Sequence, residues 1–146
     1  MIVSSAPYLH DSRTLSSIMF EVSLALIPGI VALTYTFGLG VLQESLIAVL
    51  SALTAEVIAL KLRHRPIRAT IGDGSALLTG LLLGISIPPH LPLELTIFGT
   101  FFALWFGKHL YGGLGFNPFN PAMLGYAVLL IAFPKSMSQW PPPLST

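Results

Sequence analysis

Apolar residues fill this chain in long blocks, and the few polar positions mark where each block stops. The first block runs from about Leu15 to Phe37 and holds one charge, Glu21. At ~1.5 Å per residue it rises about 33 Å, enough to cross a ~30 Å hydrocarbon core. Pro28-Gly29 inside it predicts a kink, and Gly38 and Gly40 predict a tight turn after it. The second block, about Val41 to Leu62, has Glu44 near its start and Glu56 inside. It ends in the basic stretch Lys61, Arg63, His64, Arg65 and Arg68. A third block opens at Asp73-Gly74-Ser75, with Asp73 the predicted N-cap, and stops at Pro88-Pro89. Its ~15 residues span roughly 22 Å, short of a full crossing. The fourth, about Leu93 to Lys108, is crowded with Phe98, Phe101, Phe102, Trp105 and Phe106. A glycine-rich loop, Tyr111 to Asn120, leads to the fifth, which opens at Asn120-Pro121 as cap and first helical residue. It ends at Phe133-Pro134 and is again short.

This pattern predicts an all-α integral membrane protein. It makes residues 1–146 a single transmembrane domain of about five transmembrane or half-membrane helices, two of them short and bounded by Gly and Pro. Composition agrees: 53% of residues are hydrophobic and 9% charged, with a mean hydropathy of +0.80, where a soluble domain is about 25% charged. So short a chain has too little interior to hide that surface from water. The net charge of +1 says nothing about nucleic acid, and the few basic residues are not spread along a groove-sized face, so no nucleic-acid partner is expected. Without cysteine there is no disulfide or thiolate site, so any redox chemistry must come from a bound cofactor. No Walker loop, dinucleotide fingerprint or supported Ser/His/Asp order is present, and no second histidine stands at metal-ligand spacing from His109. The sequence therefore offers neither catalytic residues nor a metal site. Met1 to Ser12 lacks the basic start of a cleaved signal, and the first block is too long for one, so it is expected to stay as an anchor.

Four of the seven Lys and Arg residues fall in the loop 61–72, which the positive-inside rule places in the cytoplasm. The N-terminus is then cytoplasmic, Lys108 agrees with that side, and the tail Trp140 to Thr146 lies outside near the interface. Blocks three and five both start on the cytoplasmic side from polar, glycine-bearing loops. Paired short segments of this kind point to a binding site in transport-type folds, with free helix N–H groups facing the ligand. The alternative is that they are short or tilted helices packed among others. Glu56 lies about four turns into block two, roughly 9 Å from its basic end. An acid inside a span is costly and is an ion-coupling candidate. Its structural alternative is an ion pair with a basic side chain reaching up from the cytoplasmic end. Glu21 lies nearer the interface, solvated or paired. Arg63, Arg65 and Arg68 read first as topology determinants, and second as contacts for a partner subunit or lipid phosphate.

The most specific string is Lys108-His-Leu-Tyr-Gly-Gly-Leu-Gly-Phe-Asn-Pro-Phe-Asn-Pro-Ala-Met123. With Gly125-Tyr126, Phe133-Pro134, Ala25-Leu-Ile-Pro-Gly29, Asp73-Gly-Ser-Ala76, Ile87-Pro-Pro89, and Ser4-Ser5 before Pro7, it resembles the NqrB/RnfD family. The matching pieces run in family order over nearly the whole chain, and the Rnf branch fits better. Ala6, between Ser5 and Pro7, is a small departure. The resemblance implies a multi-pass subunit in the bacterial cell inner membrane, part of a redox-driven translocase that couples electron flow to Na+ or H+ transport. Its partners are then the lipid bilayer and the other subunits of an Rnf-type complex. It also implies two flavins, a riboflavin held without a covalent bond near the Gly/Asn loop 111–120 and an FMN joined through phosphate to a threonine. Carried over by residue, the riboflavin contacts are Asn117 and Asn120, with Gly112, Gly113 and Gly115 beside them.

Two carboxamides match the alternating carbonyls and nitrogens of an isoalloxazine edge while staying uncharged. Glycines allow close approach of backbone to a flat ring, and Phe116 and Phe119 offer stacking. Spacing alone favours the simpler reading, Asn120 as only a helix cap and the glycines as only a turn, and it is the resemblance that turns the reading toward flavin. No threonine present matches the flavinylation stretch, and Thr146 after Leu144-Ser145 does not. The resemblance therefore implies the N-terminal half of a longer chain, with the FMN-bearing threonine beyond Thr146. Two other readings remain: a solute transporter or channel with a midplane site between the short helices, and a purely structural subunit that seats redox partners.

Overall fold

The computed structural model describes residues 14–113 and 115–144. The N-terminal pieces of the family pattern (Ser4, Ser5, Pro7), the anchor argument at Met1 to Ser12, and Thr146 lie outside the described residues. All regular structure among the described residues is helical. Helices α1 (Leu15–Ala25) and α2 (Ile27–Phe37) make up the first block, α3 (Gly40–Leu62) the second, and α5 (Ser75–Ser86) the third. Helix α6 (Leu93–Leu104) continues into a π-helical turn, Trp105–His109, and α7 (Pro121–Ala132) forms the fifth block. Two short helices, α4 (Ile67–Ile71) and α8 (Pro134–Met137), lie where the sequence predicts only loop. Proline accounts for both starts: it loses nothing by lacking an N–H at a helix entrance, and Pro66 and Pro134 stand there.

The run Leu15–Phe37 and α3 are each 23 residues, long and apolar enough to cross a membrane. The predicted kink in the first run falls at Leu26, just ahead of Pro28. Pro28 has no N–H for the carbonyl of Leu24, and its ring crowds that turn. The outer faces of α1 and α2 display Phe20, Leu24, Val31 and Tyr35.

Helix α3 is the centre of the bundle. It lies antiparallel to α5 so closely that a Cβ on Gly80 would stand 2.6 Å from Val49 Cα, and one on Gly84 would meet Ser45 backbone. Small residues allow this approach where lipid supplies no hydrophobic drive. Helices α6 and α7 pack antiparallel through a second small-residue seam, where Gly99 meets Leu129, Gly125 meets Ala103, and Gly107 meets Pro121. Helix α6 lies alongside α3 in the same direction: Thr96 bonds Glu44, and Lys108 bonds Glu56. The tail turns back onto the α2–α3 corner. The Trp140 ring meets Phe37 edge-on at 5.4 Å, and Leu144 N–H donates to Thr36 carbonyl at 2.7 Å. Trp140 thus sits at the end of the bundle opposite the basic loop.

The capping of α5 differs from the sequence reading by one residue. Gly74, in the left-handed region at φ 75°, occupies the N-cap position. Asp73 reaches past it, and its Oδ1 accepts from Ser75 N at 2.8 Å and from Ser75 Oγ at 2.6 Å. At α7 the predicted cap is observed: Asn120 Oδ1 accepts from Ala122 N at 2.9 Å.

Candidate functional site

Glu56 is fully buried on the face of α3 that meets α5 and α6. Burial of a lone carboxylate is expensive, so partners must be supplied. Lys108 Nζ donates to Glu56 Oε1 at 2.7 Å, and His109 Nε2 lies 2.9 Å from Oε2. Lys108 also donates to Ser75 Oγ at 2.6 Å, and its Nζ stands 3.9 Å from Asp73 Oδ2. At 1% exposure, Lys108 is as buried as the acid it serves. One element thereby completes another: the N-terminus of α5, its Asp73 cap, the π-helical turn and the middle of α3 share one closed network.

The π-helical turn makes this possible. Leu110 N–H reaches back five residues to Trp105 carbonyl, at 2.8 Å, and adjacent side chains, Lys108 and His109, meet the two oxygens of one carboxylate. Such single wide turns are frequent at functional positions. Trp105 Nε1 anchors the turn on Ala55 carbonyl at 3.2 Å.

The glycine loop grows directly from this network. Gly112 N–H donates to His109 carbonyl and Gly113 N–H to Lys108 carbonyl, both at 3.1 Å. Arg63 donates to His109 carbonyl, and Arg65 to Gly112 carbonyl at 3.3 Å. These two arginines therefore clamp the loop as well as charging its side of the molecule. Gly112, Gly113 and Gly115 have φ of 101°, 124° and 91°, and nothing lies within 4 Å of where a Cβ would stand. Within this chain their glycine identity answers to backbone conformation.

The structure splits the predicted binding set into two hollows. Gly112 and Gly113 line one of about 260 Å³ with Arg65, Asp73, Lys108, His109 and Phe116. Asn117 and Asn120 line another of about 310 Å³ with Phe119 and with Ser75, Thr79 and Leu82 of α5. Asn120 and Leu82 also border a larger groove of about 600 Å³ between α5 and α7. Gly115 stands between the two sides, its N–H donating to Asn117 Oδ1 at 3.3 Å. Asn117 Nδ2 donates to Phe119 carbonyl at 2.7 Å. Asn120 Nδ2 has no partner among the described residues, so its two protons are available to an acceptor in the hollow. An uncharged, carbonyl-edged flat ring fits that donor set, and the two hollows that Asn120 borders are each within the size range of small-molecule sites.

Sequence reasoning reached Glu56 and the loop but missed Lys108, His109 and Ser75 as a group. Lys108 read as a marker of membrane side and His109 as a lone histidine. The available signal was the pairing of an intramembrane acid with a basic dipeptide at the end of another span. It also passed over Glu44, which is buried at the far end of α3.

Two apolar crossings, shorter apolar helices and acidic groups closed inside the bundle define an all-helical integral membrane protein. The chain belongs to the NQR2, RnfD, RnfE family, whose model matches residues 2–145. It is 53% identical over 141 residues to the D subunit of the ion-translocating oxidoreductase complex of Cronobacter sakazakii, covering 97% of this chain and 40% of that one. The protein of the same name from Escherichia fergusonii is 55% identical over 141 residues, with the same coverage. That of Yersinia pseudotuberculosis is 54% identical over 144 residues, covering 99% of this chain and 41% of the relative. The chain thus spans about two fifths of the length of the curated relatives it matches.

Proposed function

We propose that this chain forms the ion-coupling and flavin-seating part of an RnfD-type protein in a membrane-bound, ion-translocating oxidoreductase complex. The observation that carries the coupling is the backbone link between loop and acid. Gly112 and Gly113 bond the carbonyls of His109 and Lys108, whose side chains hold Glu56. A change of charge or position at the loop is then felt at Glu56, because moving the loop moves its two basic partners.

In this reading Asn117 and Asn120 hold riboflavin by hydrogen bonds, with Phe119 against the ring. Riboflavin supplies the electron-carrying chemistry when bound. The protein orients it, keeps its edge paired, and excludes water with α1, α5 and α7. Glu56 takes part in Na+ or H+ transport, its charge balanced by Lys108 and His109. The other subunits of the complex supply and remove electrons. In the whole protein an FMN is attached to a threonine beyond Thr146. The basic loop 61–72 and the N-terminus face the cytoplasm of a bacterial cell, with the bundle in the inner membrane.

The test is the double substitution Asn117→Leu/Asn120→Leu in the full-length protein. Leu keeps approximate size and removes every donor and acceptor. Each polar group left unpaired costs roughly 1–3 kcal/mol, about one to two decades of affinity. Extractable riboflavin should disappear while acid-stable FMN remains. Full riboflavin content in a correctly inserted double variant returns Asn120 to the role of helix cap alone.

A further inference from the structure

The end of α3 far from Lys108 carries a second buried acid. Glu44 is 1% exposed, and its Oε2 accepts from Thr96 Oγ1 at 2.8 Å. Among the described residues no lysine or arginine pairs with it, whereas Glu56 has both Lys108 and His109. Neighbouring hydroxyls are spent on backbone: Ser45 donates to Val41 carbonyl and Thr100 to Thr96 carbonyl. A carboxylate so placed, with no cation, is costly inside a membrane protein. The same group carrying a proton is neutral and becomes a donor itself.

Among the described residues, His90 is a titratable side chain set against this end of α3. His90 lies in the α5–α6 loop, is exposed, and has a left-handed φ of 70°. Its ring rests on Gly40, one helical turn before Glu44. A Cβ at Gly40 would stand 2.8 Å from both Cε1 and Nε2 of that ring, so a larger residue there would push the imidazole off α3. Among the described residues, the other elements packed here bring no competing charge to the acid. Helix α5 presents Gly84 and α6 presents Thr96. Helix α2 contains no charged residue, and Glu94, on the first turn of α6, is exposed. The result is a solvent-facing imidazole beside a closed-in carboxyl, at the opposite end of α3 from the Glu56 network.

We propose that Glu44 is a proton-exchanging carboxyl that communicates with the medium through His90, a second ionic site at the end of the bundle opposite the basic loop. The step moves a proton only. The carboxyl gives up its proton, the imidazole takes it up and returns it to the medium, and the reverse sequence reloads the acid. Imidazole is the side chain suited to take and release protons near neutral pH. Thr96 holds the carboxyl in place, and Gly40 keeps the ring against α3. This site stands whether or not the flavin placement is right, because none of its residues touches the Gly/Asn loop.

The test is infrared difference spectroscopy on the full-length protein in its assembled, membrane-embedded complex. A protonated-carboxyl band that shifts in heavy water should be present and should vanish in Glu44→Gln. His90→Leu should keep the band but slow its deuterium shift by about tenfold or more, the scale of losing a positioned acid–base group. Thr96→Val, which removes only the hydrogen bond to the carboxyl, should move the band, and it serves if Glu44→Gln does not assemble. Three results would overturn the proposal: a band unchanged by Glu44→Gln or Thr96→Val, deuteration as fast in His90→Leu as without it, or a band set by Na+ concentration at fixed pH. The last would make Glu44 a cation ligand instead.

Discussion

Lys108 stands at the end of an aromatic helix, where a lysine usually extends its stem to bring the ammonium to water. Here it turns inward, and the pairing with Glu56 offsets the cost of burying both charges only while both partners remain. Lys108→Met should therefore destabilise the full-length protein by about 3–5 kcal/mol, the usual cost of breaking a buried pair. The double variant Glu56→Gln/Lys108→Met should recover much of that loss, because neither charge is then left alone. Thermal unfolding of the detergent-extracted protein measures both, and a double variant no more stable than the single one would refute the pairing as the cause. Ion coupling calls for a separate variant. Glu56→Gln keeps shape and removes charge, so it should lower ion transport by the complex while riboflavin and FMN contents stay normal. Transport at the unsubstituted rate would leave Glu56 a structural role only.

At the scale of elements, the bundle rests on glycines facing backbone. A side chain at Gly80 would press on Val49 Cα and Ala48 carbonyl, neither of which can swing aside. Gly80→Leu should cost at least about 1–3 kcal/mol through overpacking, read as a fall in unfolding temperature or in folded yield. Gly29, with nothing within 4 Å, makes the control: Gly29→Ala should be neutral or stabilising by up to ~1 kcal/mol. Equal effects at the two positions would mean the α3–α5 seam is not as tight as described. The helices themselves were legible in the sequence, since apolar blocks closed by Gly, Pro and capping residues leave few other choices. Block two and α3 differ by one residue at the start, and the Asn120 cap is where the sequence puts it. The short helices α4 and α8 were not legible, because each is a single turn or so with no apolar period to read. The π-helical turn at Trp105–His109 was illegible for a different reason: its width depends on which partners the side chains find across the bundle. For that reason the Glu56 network could be half seen, as an acid awaiting a basic side chain, while the identity of that side chain came only from packing.

For the whole molecule the two ends of the bundle differ in charge. The basic loop, the π-helical turn and the starts of α1, α5 and α7 share one end, and the α2–α3 corner with Trp140 and His90 shares the other. A reporter fused after Arg65 should behave as cytoplasmic and one fused after Trp140 as periplasmic. A periplasmic signal at Arg65 would invert every sidedness assigned to the bundle, Glu44 and Glu56 included. One further consequence follows from the register of α3 and α6. Glu44 meets Thr96, and Glu56 meets Lys108, with the same offset along both helices. The two attachments are twelve residues apart on each rod, about 18 Å at the helical rise. A shaft fixed by two pins at a distance can neither slide nor roll against its mate without shearing both. Any working stroke that keeps these polar bonds must carry α3 and α6 as one rigid strut, and the moving parts of the machine are then to be sought in what surrounds that strut.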